Sequence, residues 1–329
     1  MRVLVCITPN FNMMATMGFI DPFRVANYID GRSHFDWSIV SATGGLCPAS
    51  NGMALDSKAL SDVQDVPWDY VIVSSSWSPE KHGDATLLTA LRQWSRKGST
   101  LGALDTGAFI LAKAGLLNGQ RATVHYEHID AMKELYPTVE CTEDLFVFDG
   151  NIATCCGGSA SIDFALHILR TTHGDAMANA AARYMFHQSL RPIGSPQNPS
   201  LIEPLGSTTP PIVKHAIAIM EQNLEEPISI PEICSQVEIS QRQLDRLFKS
   251  FVKKTPKLYY RDIRLDRARG LVTQTDMLIS EIAVASGFSS QVHFSRAYRE
   301  IFGLSPSRDR IEGRVPFEYR AWPMHRKTI

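Results

Sequence analysis

One plan is written twice in this chain. The run ISIPEICSQVEISQRQLDRLFKSFVKKTP occupies residues 228–256, and LISEIAVASGFSSQVHFSRAYREIFGLSP occupies residues 278–306. Each reads as a short apolar helix, a tight break, a polar cap, a second amphipathic helix and a Pro-terminated turn. Start to start they lie about fifty residues apart, which makes them an internal repeat of helix-turn-helix units.

The second helix of each unit divides cleanly. In the first, Ser240 is placed as an N-cap. Leu244, Leu247, Phe248 and Phe251 fall on one face, and Gln241, Arg242, Asp245, Arg246 and Lys249 on the other. In the second, Ser290 is the cap. Phe294, Ala297, Tyr298 and Ile301 point inward, while Gln291, Val292, His293, Ser295, Arg296 and Arg299 form the outer face. One face holds such a helix to its own domain, and the other offers donors to a major groove. Arg and Gln make bidentate contacts to guanine and adenine. Gly287 fits the turn between the second unit's helices, where a left-handed residue is needed.

Through the run EIAVASGFSSQVHFSRAYREIFGLSPSRDR, the C-terminal part resembles the AraC/XylS family of transcription regulators. The resemblance implies an all-α domain of seven helices with two helix-turn-helix motifs joined by a long helix, here residues 257–273, whose apolar positions read as Leu258, Ile263, Leu265, Ala268, Leu271 and Val272. Each motif would read one of two successive major grooves of promoter DNA, about 34 Å apart. Arg242, Asp245 and Arg246, with Gln291, His293 and Arg296, match the positions that contact bases. Asp245 either accepts from cytosine or orients Arg246. Asp309 departs from the family, which has an aromatic there, and an effect on packing alone is expected. The resemblance also implies RNA polymerase as a partner, activation as the tendency, and a homodimer.

Charge supports a polyanion-binding C-terminal part. From Thr208 onward there are 19 Lys+Arg and 14 Asp+Glu, a net of +5. The remainder has 14 basic and 20 acidic residues, a net of −6. No apolar run approaches the roughly 18 residues of a membrane helix and no leader pattern opens the chain, so a cytoplasmic protein without a membrane partner is expected. The six Cys form no C-x-x-C pair, and Cys155 and Cys156 are adjacent. Buried free thiols are expected, with no metal centre and no cofactor.

The N-terminal half alternates strands and helices. Strands are read at residues 2–8, 35–41, 69–75, 100–104 and 121–126, with a hairpin across Asp149-Gly150. Helices are read between them, one at residues 14–29 interrupted by Pro22. This pattern implies a mostly parallel sheet in an α/β sandwich. Residues 190–211 hold six Pro and read as a linker. The expected organisation is a domain over 1–189, a linker over 190–211, a helical domain over 212–310 and a tail over 311–329.

The runs LGALDTGAFILAKAGLLNG and TVHYEH carry a second resemblance, to the class I glutamine amidotransferase-like superfamily in its PfpI-like branch. That implies a flavodoxin-like α/β sandwich. Joined to an AraC-type domain, it is the arrangement of GlxA-type regulators. In the superfamily's enzymes a Cys stands on a sharp strand-to-helix turn and a His follows on the next strand. Here Asp105 matches the Cys position and His125 the His. A carboxylate is a poor acyl nucleophile, so a binding pocket and no enzyme is expected. An amidase or glyoxalase-like hydrolase, and a half that only dimerises, are the alternatives. A fixed anion favours a cation. Asp21, Glu127 and Thr106, with the aromatics Trp77, Phe11 and Tyr126, are the candidate partners of Asp105, since carboxylate plus aromatic faces suits an ammonium group. The DTG elbow and ARYMFHQSLRPIGSPQNP look most like the subgroup regulating catabolism of glycine betaine, carnitine and related amino-acid-like compounds. A small-molecule effector of that class is what this resemblance implies.

Overall fold

The computed structural model describes residues 1–197 and 209–313. The chain divides into two units, Met1–Gln197 and Asn198–Ile329. In the first, strands β1 (Arg2–Ile7), β2 (Asp36–Ser41), β3 (Thr43–Pro48), β4 (Ala54–Ala59), β5 (Tyr70–Ser75) and β6 (Thr100–Asp105) alternate with helices α1 (Met13–Asp30) and α2 (Ala85–Arg96). Then follow α3 (Gly107–Lys113), β7 (Arg121–Thr123), α4 (Ile129–Leu135), β8 (Glu140–Thr142), β9 (Phe146–Asp149), β10 (Ile152–Cys155) and α5 (Ala160–Tyr184).

Eight strands form one sheet in the order β3-β4-β2-β1-β5-β6-β10-β9. Only its edge strands run antiparallel to their neighbours: β3 against β4, and β9 against β10. β1, β5 and β6 are buried along nearly their whole length, because helices cover both faces. On one face Phe19, Phe23 and Phe164 of α1 and α5 pack on Val3, Val5 and Ile72. On the other, Leu91, Trp94, Ile110 and Leu111 of α2 and α3 pack on Leu4, Val71 and Leu101. Successive strands leave β1 in opposite directions, β2 to one side and β5 to the other. The carboxyl ends at such a switch point are where α/β sheets leave a crevice.

Four expectations need correction. β3 and β4 were not legible; β3 forms the sheet's edge and β4 lies between it and β2, and both are half-exposed strands that hold two Gly and a Pro and carry no apolar run. Pro22 does not interrupt α1 but lies buried inside it, held by the packing of Phe19 and Phe23 on either side. The strand read at 121–126 ends at Thr123 and pairs with β8 in a separate two-stranded sheet. Residues 190–197 belong to the first unit. Arg191 is clamped by Asp163, Ser195 O accepts from Leu145 N–H at 2.7 Å, and the buried Gln197 amide donates to Thr123 Oγ1 at 3.0 Å and Val124 O at 2.9 Å. Pro content alone does not reveal such anchoring. The rest of the expected linker up to residue 208 lies outside the described residues.

The second unit has seven helices among its described residues: α6 (Pro211–Gln222), α7 (Ile230–Gln236), α8 (Gln241–Phe251), α9 (Pro256–Gln274), α10 (Ile279–Ala285), α11 (Gln291–Phe302) and α12 (Pro306–Gly313). They make two small cores that share α9. Its first half, with Tyr259 and Ile263, joins Val213, Ile233, Leu244 and Phe248. Its second half, with Leu265, Ala268 and Leu271, joins Ile282, Phe294 and Tyr298. Leu258, expected inward, is 44% exposed, and Tyr259 and Tyr260 take the buried positions. Of the tail expected from residue 311, residues 311–313 continue α12 and the rest lies outside the described residues. None of the described helices is long and apolar enough to cross a membrane.

Candidate effector pocket and DNA-reading faces

Asp105 ends β6 and adopts φ 58°, a left-handed conformation that costs a non-glycine residue roughly 1–3 kcal/mol. The surrounding structure enforces the turn. Thr106 donates from its hydroxyl to Ser76 O at 2.5 Å and from its N–H to Ser75 O at 3.3 Å. The Gly157 backbone crosses directly over the elbow: a Cβ there would stand 2.9 Å from Asp105 Cβ. Asp105 is thus only 4% exposed. Asn12 donates to its Oδ2 at 2.8 Å, while Asn12 Oδ1 caps α1 by accepting from Ala15 N–H at 3.1 Å. Burial pushes the Asp105 carboxyl above its ordinary range. The charge of His125 and hydrogen bonds from Asn12 and Ser76 work against that shift, and the carboxylate of Glu127 adds to it.

His125 lies two residues beyond the end of β7 and opens a 3-10 turn, Tyr126–His128. Its ring lies on Tyr126, centroids 4.5 Å apart, and its Nδ1 is 3.9 Å from Glu127 Oε2. Burial and the neighbouring His125 hold the His128 ring down to about 3, so it is neutral. Its Nδ1 is buried and has no hydrogen-bond partner among the described residues.

The charges of His125 and Glu127 both act on Asp105. Asp21 lies in the middle of α1, where it forms a partly exposed ion pair with Arg24; the residue that reaches the elbow from this part of the chain is Asn12. Phe11 is fully buried in the core beneath α1 and hydrogen-bonds through its backbone with Thr8 and Ser50. Thr106 is fully buried with its hydroxyl committed to Ser76 O, a structural use. Trp77 follows Ser76 and is half-buried. Tyr126 lies against His125. Asn12, Ser76, Gly157 and His128 were missed; the Asn before a helix was a readable cap, and the others have no local signature.

No thiol replaces the elbow nucleophile. Cys6, Cys47, Cys155, Cys156 and Cys234 are buried free thiols, and Cys141 is half-buried. A hydrogen bond to Cys155, then burial, push Cys156 far up. Burial alone pushes Cys6 up to about 12. Protonated thiols are poor nucleophiles.

The two reading helices repeat in detail. Residues 241–250 and 291–300 share one burial sequence: three exposed, one buried, then half-buried, exposed, half-buried, buried and two exposed. Leu244 and Phe248 in α8, and Phe294 and Tyr298 in α11, hold the helices to their cores. Phe251, expected inward, is 37% exposed. Gln241, Arg242, Arg246 and Lys249 are exposed and Asp245 is half-buried; Gln291, His293, Arg296 and Arg299 are exposed. Ser240 accepts from Gln243 N–H while Gln243 Oε1 accepts from Ser240 N–H, a capping box. Ser290 caps α11 by accepting from His293 N–H at 3.2 Å. The turn before α11 uses Gly287 at φ 72°, and a Cβ there would lie 2.7 Å from Leu224 O. In the first unit Glu238 takes the equivalent left-handed position at φ 56°.

An amidotransferase-type elbow that lacks its thiol, in a chain with two helix-turn-helix units, defines a transcription regulator with a ligand-sensing domain. Residues 1–171 match the DJ-1/PfpI family and residues 233–311 a helix-turn-helix domain. The chain is 38% identical to the HTH-type transcriptional regulator CdhR of Pseudomonas aeruginosa over 92% of its length and 90% of that protein's. It is 32% identical to the HTH-type transcriptional regulator GlxA of Rhizobium meliloti over 93% of its length and 94% of that protein's. The crystal structure of an AraC family transcriptional regulator from Pseudomonas putida matches 56% of this chain and 98% of that one, with TM-score 0.50 and 21% identity, a likeness of fold. The chain belongs to the DJ-1/PfpI family, among its members that carry an AraC-type helix-turn-helix domain. It is a DNA-binding transcription regulator and not an enzyme.

Proposed function

We propose that the first unit binds a small, positively charged, amino-acid-like metabolite at Asp105, and that this binding changes how α8 and α11 engage promoter DNA. The observation that carries the reading is the buried carboxyl at a strained elbow, beside His125 and Glu127. A secondary or quaternary ammonium carboxylate suits it: the ammonium group meets Asp105, and the His125 side offers a donor to the carboxylate. The DNA-reading residues are Gln241, Arg242, Asp245, Arg246 and Lys249 in α8, and Gln291, His293, Arg296 and Arg299 in α11. The protein works in the cytoplasm as a homodimer and activates transcription through RNA polymerase. The 1–197 unit is the sensor, residues 198–208 are the linker and 209–313 the reader.

Asp105→Asn separates binding from folding. A carboxyl whose folded pKa is raised destabilises the fold once it ionises. Its stability contribution is therefore greatest below the ordinary value of 3.8 and is lost as pH rises through the folded pKa. The amide of the variant never ionises, which removes that loss, and its oxygen can still accept from Asn12. The variant is expected to melt higher at neutral pH, by several degrees if about 1 kcal/mol of carboxylate desolvation is relieved. The gain disappears at acid pH. The same variant loses the thermal shift that ammonium carboxylates give the parent protein. An equal shift in both proteins removes Asp105 from the site.

For the reader, selection of genomic fragments yields the operator, and anisotropy then measures Arg246→Ala on it at fixed salt. Loss of about 1–3 kcal/mol is expected, with discrimination relaxed at one base position. A uniform, purely salt-dependent loss would instead make Arg246 a phosphate contact.

A further inference from the structure

His125, Glu127 and His128 each offer one ligand atom, and the three atoms lie within 4.8 Å of one another. The backbone produces this. His128 N–H donates to His125 O at 2.8 Å, closing the turn. In a 3-10 turn, side chains at i and i+3 eclipse, so the two imidazoles come to one side. Their ring centroids are 6.1 Å apart at 75°, edge to face, without stacking.

We propose that His125, Glu127 and His128 form a site for one divalent transition-metal ion of the zinc class. Two imidazoles and a carboxylate are the donor set of an open zinc site, which keeps a fourth position for water or another ligand. Two further observations agree with this. The His125 Nδ1 to Glu127 Oε2 gap of 3.9 Å is too long for a hydrogen bond, yet close to the roughly 3.3 Å between two donors on one tetrahedral zinc. His128 Nδ1 is buried and accepts from nothing, an expensive state for a polar atom unless something binds at the ring. Adjacent Cys155 and Cys156 are poorly spaced for joint ligation, and this does not bear on an imidazole and carboxylate site. The proposal goes beyond the effector reading and does not depend on it.

The test uses the full-length protein, stripped with a chelator and titrated with Zn2+ against a competing indicator dye, with Co2+ absorption as a second readout. One ion per chain at sub-micromolar affinity is expected, with visible Co2+ bands of nitrogen and oxygen coordination. His128→Gln and Glu127→Gln should each weaken Zn2+ at least tenfold, with unchanged circular dichroism showing that the fold persists. Asp105→Asn and Cys141→Ser should leave the Zn2+ affinity within a factor of about two. Binding weaker than micromolar overturns the proposal. So does binding that Cys141→Ser abolishes, or that His128→Gln and Glu127→Gln leave unchanged. The effector shift is measured separately on the stripped protein, so failure of either reading is visible without the other.

Discussion

Asp309→Ala is expected to collapse the second half of the reading domain and abolish operator binding. Asp309 is fully buried. It accepts from Arg269 Nε at 2.9 Å and Nη2 at 3.4 Å, and from the Tyr298 hydroxyl at 2.8 Å. The Arg269 side chain is itself only 17% exposed and lies over Phe302, 4.6 Å from the ring centroid. Removing the carboxylate strands a guanidinium and a phenol in a core of few apolar side chains. Breaking a buried pair from one side costs about 3–5 kcal/mol, which is comparable to what so small a core supplies. Chemical denaturation followed by anisotropy reads both losses. Because the pair's net value is modest, the double variant Arg269→Met with Asp309→Leu should recover most of the stability. A single-variant loss below about 1 kcal/mol would show that the pair is dispensable.

Asp163→Ala is the second large effect. Asp163 is fully buried in the first turn of α5. It accepts from Arg191 Nη2 at 2.6 Å, Arg191 Nε at 2.8 Å and Arg191 N–H at 2.8 Å, and it meets His187 Nε2 at 2.9 Å. One carboxylate thus pins the end of the first unit onto the start of α5, and the chain leaves for the reader shortly afterwards. Loss at the low end of about 3–5 kcal/mol is expected, since Arg191 is 36% exposed and can turn to water. Limited proteolysis should cut near residues 188–195 in the variant while the sheet stays intact. Persistence of the native digestion pattern would show that the bonds of Ser195 and Gln197 hold the Pro-rich chain without Asp163.

The helix-turn-helix half was legible almost residue by residue. Its caps, faces and left-handed glycine are local properties: a Ser before a helix and apolar residues every three or four positions act within one or two turns. Phe251 and Leu258 are the exceptions, because end positions are covered only if another element arrives there. Asp309 shows the limit of motif reading. The substitution of an acid for an aromatic looked like a packing change, yet the residue became the buried partner of Arg269, 40 positions away. In the first unit the apolar central strands were readable, and β3 and β4 at one side of the sheet were not, since half-exposed strands lack a continuous apolar signature.

By itself the sequence determined the two helix-turn-helix units, their outward faces, the parallel α/β half and the acid at the elbow, because each is encoded within a few residues of itself. Tertiary structure alone decided which side chains meet that acid. It brought Asn12, Ser76 and Gly157 to Asp105, turned Phe11 into core and left Asp21 on the outside of α1. It also drew residues 190–197 into the first unit. The physical reason is the same throughout: burial and hydrogen-bond pairing are settled by whichever distant segment fills the space, and local periodicity carries no record of it.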